Sequence, residues 1–186
     1  SSAILFDLFP RGEEMILWFL LPGGRRVRLR HKFRPAGYLE GPQRVLDDCL
    51  RRMKRTGDAE PVGWTEQLDF WTGHPRRVYA FRIRRLEKWT RLLEDYARHY
   101  PQLSWYNADL LPEQFYCYAH DMFSAGHCQI EAEGEWLLSI TPQDDRWAPD
   151  YDPPELRTVE LSGEGSLRHR PVRLGSLTLE QDGHAI

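Results

Sequence analysis

The stretch VYAFRIRRLEKWTRLLEDYARHYPQLSWYNADL, residues 78–110, constrains this chain more than any other. Residues 78–84 alternate as a half-buried strand does. Leu86, Trp89, Leu92, Leu93, Tyr96 and Tyr100 then recur at helical spacing on one face, predicting a helix over 86–100. Pro101 ends it, because proline lacks the N–H a helix needs and restricts the residue before it. LSWYNADL reads as the next strand. A helix between two strands has to cover a sheet, so the centre of the domain is a strand–helix–strand unit of mixed α and β structure.

The segments before this unit are strand-rich. Residues 4–9 (ILFDLF) and 15–21 (MILWFLL) read as strands, and Pro22-Gly23-Gly24 turns the chain into RRVRLRHKF. There Val27 and Leu29 alternate with Arg26, Arg28 and Arg30, which predicts a half-exposed strand with a basic outer face. Residues 43–54 set Val45, Leu46, Cys49, Leu50 and Met53 on one helical face, so Cys49 is a packing residue. Gly57, Pro61 and Gly63 mark a loop. Downstream, 112–126 reads as a helix and QIEAEGEWLLSI as a hairpin around Gly134. Residues 142–155 are acidic and proline-rich, with the composition of a linker, and strands are expected at 157–161 and 172–180.

Net charge is only −3, but the charges are segregated. Arg25, Arg26, Arg28, Arg30, Lys32 and Arg34 form one basic cluster; Arg76, Arg77, Arg82, Arg84, Arg85, Lys88 and Arg91 form another. A solvated strand face explains such a run, and so does contact with nucleic-acid phosphate. Three cysteines without a disulfide framework point to a reducing, cytoplasmic setting. The apolar run from Met15 to Leu21 is too short to span a membrane. The start without Met and the end just after a strand-like run suggest a cut made through a domain.

Few residues form a recognisable chemical constellation. Cys117, His120, His127 and Cys128 have zinc-ligand chemistry, but adjacent His127 and Cys128 point apart on a strand and fit a metal poorly. Asp144, Asp145, Asp150 and Asp152 lack the spacing and central glycine of a calcium loop. Trp64, Trp71, Trp89, Trp105, Trp136 and Trp147 include candidates for stacking on bases, although Trp89 and Trp136 fall on apolar faces.

The order of segments resembles the N-terminal part of family-B DNA polymerases, in the archaeal and bacterial DNA-polymerase-II-like branch. The family's "FRPYFY"-like run is matched by Phe33-Arg34-Pro35-Ala36-Gly37-Tyr38. Its "GRPV"-like turn is matched by Gly73-His74-Pro75-Arg76-Arg77-Val78, and "VYEADIP" by Trp105-Tyr106-Asn107-Ala108-Asp109-Leu110-Leu111-Pro112. Phe115 to Asp121 compares with the "RYLID"-like helix. Asp150-Tyr151-Asp152-Pro153-Pro154-Glu155-Leu156-Arg157 leads into Ser162-Gly163-Glu164 as "DYxPPLRxLSFDIET" does.

The resemblance implies an α+β fold with three parts. Residues 1–130 would be a β-rich N-terminal domain containing a ferredoxin-like, RNA-binding-like unit. Residues 131–155 would be a hairpin and linker, and 156–186 the first strands of a truncated RNase-H-like exonuclease. It implies a non-catalytic fragment of a DNA-directed DNA polymerase that contacts template DNA and, in cis, the remaining polymerase domains. Arg25, Arg26, Arg28, Arg30, Arg34, Arg76, Arg77, Arg84 and Lys88 are the candidate phosphate contacts. Mg2+ is expected for the full-length parent, whose exonuclease binds it through the Asp and Glu of "DIE". Here Ser162 replaces that Asp and leaves Glu164 as a vestigial ligand, so proofreading is expected to be lost. Relatives that bind template uracil use residues near "FRP" and "RYLID"; Pro35 fits, but residues 115–118 lack the basic residue. An inactivated polymerase homologue or a free-standing nucleic-acid-binding scaffold is the alternative.

Overall fold

Three strands open the chain as a meander, and the hydrophobic side chains they turn inward become the core of a barrel. In the computed structural model β1 (Ser2–Arg11), β2 (Glu14–Leu20) and β3 (Arg26–Lys32) pair antiparallel. The structure describes residues 1–69, 71–145 and 147, together with the backbone of three later strands. Gly12, at φ +63°, makes the tight β1–β2 turn, a conformation that costs glycine least. Leu5, Met15, Leu17 and Phe19 are wholly buried, and each such side chain contributes roughly 1.5–3 kcal/mol.

After β3 the chain leaves the barrel and builds a sheet-and-helix module. Its elements are β4 (Ala36–Glu40), α1 (Gln43–Thr56), β5 (Ala59–Leu68), β6 (Pro75–Ile83), α2 (Trp89–His99) and β7 (Ser104–Tyr106). The strand order is β5-β6-β4-β7, with every neighbouring pair antiparallel. Helix α1 therefore carries the chain from β4 past β6 to β5, and α2 carries it from β6 past β4 to β7. The helices are bound to each other by Arg52–Asp95 at 2.9 Å and by Tyr100 Oη donating to Asp48 at 3.0 Å. Leu46, Cys49 and Met53 of α1 join Trp89, Leu93 and Tyr96 of α2 in one core with Leu39, Phe81 and Ile83. Burial pushes the Cys49 thiol up to about 12, in keeping with a packing role.

Helix α3 (Pro112–Ala119) then returns the chain to the barrel, where β8 (His127–Glu133) and β9 (Trp136–Pro142) form the expected hairpin. Strand β8 lies antiparallel to β1, and β9 meets β3 in parallel at Arg30 and Trp136. This closes a five-stranded barrel in the order β1-β2-β3-β9-β8.

Several elements differ from the sequence expectation, among them strand β4, which no apolar alternation announces, and the following four. The helix over 86–100 is a 3-10 turn, Leu86–Lys88, followed by α2; the Leu86 N–H, which the helix itself leaves unpaired, is taken by the Gly12 carbonyl at 2.8 Å. The loop containing Pro61 and Gly63 is strand β5; it lies at a sheet edge with a register shift between those residues, where proline is tolerated. The strand in LSWYNADL is only Ser104–Tyr106, stopped by Asn107 at φ +60°. The helix over 112–126 ends at Ala119, before Asp121 at φ +56°.

The chain divides into two compact units, Ser1–Tyr151 and Asp152–Ile186. In the second, β10 (Val159–Ser166), β11 (Arg173–Gln181) and β12 (His184–Ala185) form an antiparallel sheet. Ser162 sits opposite Thr178 and Glu164 opposite Ser176, with a register shift after Glu164. The side chains of this unit lie outside the described residues, as does most of the expected linker. Among the described residues no helix is long and apolar enough to cross a membrane.

Candidate nucleic-acid interface

The period of two that buries Met15, Leu17 and Phe19 turns Ile16 and Trp18 to the outside of the barrel, beside the arginines of β3. Pairing fixes the rows. Asp7, Trp18 and Arg28 lie side by side across β1, β2 and β3, as do Phe9, Ile16 and Arg30, and Leu20 faces Arg26. Ile16 is covered, at 3% exposure, but Phe9 and Trp18 remain 41% and 36% exposed. A cleft of about 350 Å³ opens on this face, between the Arg11–Glu13 turn, Arg28, Arg30 and Glu135 of the β8–β9 turn.

Acids neutralise part of the first basic cluster. Arg30 makes a two-pronged bond to Glu14, at 2.9 and 3.0 Å, and lies 4.5 Å from the Trp136 ring. Arg34 pairs with Glu60 at 2.8 Å and Glu13 at 3.4 Å, and Arg28 approaches Glu135 at 3.8 Å. Arg25 and Arg26 are exposed, and neither has an acidic partner among the described residues. Sequence patterning shows the arginines but not Glu13, Glu14, Glu60 and Glu135, because only strand pairing and turn placement bring those acids to the same face.

The second cluster is divided between the two ends of β6. Arg76 is held by Asp69 at 2.8 Å and by Glu40 and Tyr106 at 3.2 and 3.3 Å. Arg77 lies 4.7 Å over the Trp64 ring. Arg84 and Lys88 stand at the other end, exposed and without an acidic partner among the described residues. The Leu86–Gly12 hydrogen bond and the bond from Gly12 N–H to Glu87 at 2.8 Å tie their loop to the β1–β2 turn.

Near the "FRP" run, β3 and α3 enclose an aromatic cluster. His31 Nδ1 lies 2.7 Å from Tyr116 Oη, and the His120 ring packs at a tilt, its centroid 4.3 Å from that of Tyr116 and 5.2 Å from that of His31. Phe33 packs edge-on to Tyr116 at 5.0 Å. Burial lowers the His31 pKa; burial and then the charge of His31 lower that of His120. The four zinc-type residues go to separate partners. His120 joins this cluster, Cys128 donates to the Ala3 carbonyl at 3.5 Å, and His127 pairs with Asp144 at 2.9 Å. Cys117, on α3, packs against the core. Among the described residues no group of three or more His, Cys, Asp or Glu could hold a metal ion.

No protein-family model matches the chain, and no curated protein sequence matches it significantly. Among solved structures, it is similar to the family B DNA polymerase of the hyperthermophilic archaeon Pyrobaculum calidifontis, with a TM-score of 0.66 and 20% identity. The match covers 100% of this chain and 26% of that one, so the chain spans about a quarter of that polymerase. At this identity the likeness shows the fold: a mixed, strand-rich α+β arrangement shared with part of a family B polymerase.

Proposed function

We propose that this chain is the N-terminal region of a family-B-type DNA polymerase, binding the template strand through phosphate contacts and supporting the polymerase domains in cis without catalysis of its own. The observation that carries this is the exposed pair Arg25 and Arg26, which has no acidic partner among the described residues and is continuous with Arg28 on the outer face of the barrel. Two fold assignments accompany it. The order β1-β2-β3-β9-β8 is that of an oligonucleotide-binding barrel, and the β-α-β-β-α-β module with its order β5-β6-β4-β7 is ferredoxin-like, as in RNA-binding domains. The strands from Val159 are, on the same reading, the start of an RNase-H-like exonuclease.

Mg2+ does not fit Ser162 and Glu164 as they stand. A hydroxyl in place of a carboxylate leaves one negative charge where two-metal chemistry needs a cluster. Any Mg2+ of the full-length parent is therefore assigned to other domains, and proofreading is assigned as lost. The same Ser162 favours a second reading, an inactivated homologue or free-standing binding module. A reading frame that stops near Ile186 supports that reading; one that runs on into the carboxylates of a polymerase palm removes it.

Salt titration tests the phosphate contacts. Affinity for single-stranded DNA should fall log-linearly with salt, and replacing Arg25 and Arg26 by Ala should reduce the slope by about 0.7 for each phosphate the variant no longer neutralises. Salt-independent binding, or a slope unchanged in that variant, would rule these arginines out.

A further inference from the structure

We infer that the outer face of β1–β3 is a stacking platform for unpaired bases, with Trp18 and Phe9 under the bases and Arg25 and Arg26 along the phosphates. This rests on the proposed nucleic-acid role and assigns its ligand as a single strand. The geometry supports it at three points. First, Trp18 and Phe9 are large aromatic side chains at outward positions, 36% and 41% exposed, while Ile16 between them is covered. Their register, Phe9 opposite Ile16 and Trp18 two residues on, makes them diagonal neighbours about 7–8 Å apart at the backbone. Both rings are therefore within reach of one extended strand.

Second, charge is graded across the row. Asp7 lies on one side of Trp18 and Arg28 on the other, and Arg26 continues the basic edge. A strand with its bases over Trp18 is thereby directed to lay its phosphates along β3, away from Asp7. Third, the far end of the face is closed to phosphate: Glu14 holds Arg30 at 2.8 Å, and Glu135 approaches both Arg28 and Arg30. The path then runs toward Arg25 and Arg26. A duplex offers no free base face to such a platform, so the aromatic residues select unpaired nucleic acid, whereas the arginines attract both forms.

The test uses the whole chain with an oligo(dT) single strand and a blunt duplex of similar charge. Trp18→Ala and Phe9→Ala should each weaken oligo(dT) binding by about 5- to 100-fold, leave duplex affinity and the salt slope unchanged, and keep the circular dichroism spectrum. Trp18→Phe should recover most of the affinity; because it keeps a ring, it also serves where Trp18→Ala unfolds. If oligo(dT) affinity is unaltered in both alanine variants, or duplex and single strand weaken alike, the platform is wrong. Should the Arg25 and Arg26 variant still weaken binding in that case, the phosphate role survives. Failure of both variant sets removes both.

Discussion

His31 and His120 face each other across the β3–α3 contact with centroids 5.2 Å apart, and neither can take up a proton without cost. Burial lowers His31, and burial followed by repulsion from His31 lowers His120, from a usual value of 6.5. The sign follows from linkage. As pH falls through 6.5 the unfolded chain protonates these residues before the folded one does, so stability is full above that pH and declines below it. The decline continues down to the lowered folded values. Asp144, held low mainly by the His127 backbone N–H, acts only in the separate carboxylate range below about pH 4. Thermal melts from about pH 7.5 to about pH 5.5 should show Tm falling, with a shallower fall in His120→Gln. Equal slopes for the two proteins would mean that other groups set the dependence.

The same logic of close contact governs the elements. Strand β4 runs between β6 and β7, with Gly37 opposite Phe81, and a Cβ at Gly37 would come within 2.8 Å of the Phe81 ring atom Cε1. Gly37→Ala should therefore cost about 1–3 kcal/mol in denaturant unfolding, as overpacked cores do; an unchanged midpoint would mean the Phe81 ring can move aside. This strand also marks how far the sequence can be read. Strand β3 and helix α1 are legible because their apolar residues keep one period, β2 because it is an unbroken apolar run, and β1 in spite of the register shift between Leu5 and Asp7. Strand β4 is not, since its inward positions are Gly37 and Leu39 and proline precedes it, so no alternation of large apolar groups appears. Strand β5 hides behind Pro61 and Gly63, which only an edge position with a bulge accommodates. The candidate site divides similarly. Arg25 and Arg26 can be read from local charge, but the neutralisation of Arg34 by Glu60 and of Arg28 by Glu135 depends on pairings far apart in the chain.

At the scale of the whole molecule, the sheet-and-helix module is inserted between the third and fourth strands of the barrel, and the barrel closes only when the chain has returned. The Ser1 nitrogen donates to the Ile130 carbonyl at 2.7 Å across 129 residues, and Ala3 pairs with Cys128. The core is continuous through this insertion: Leu5 and Phe19 of the barrel belong to the same buried cluster as Phe81 and Trp89 of the module, and the last of its members among the described residues is Ile140. Such long-range closure makes folding slow and cooperative. It also makes the contribution of β8 and β9 separable from that of the residues after them. A chain ending at Tyr151 retains every described member of the cluster and the entire Trp18–Arg28 face, so it should melt in one transition and bind oligo(dT) as the full chain does. A chain ending at Gly126 lacks both closing strands, leaves β1 and β3 unpaired on one side, and should lose that cooperative transition. Calorimetry on the two truncations tests the nesting: a broad, uncooperative melt for the chain ending at Tyr151 would mean that the barrel and module depend on residues 152–186 for a core the first unit should supply alone.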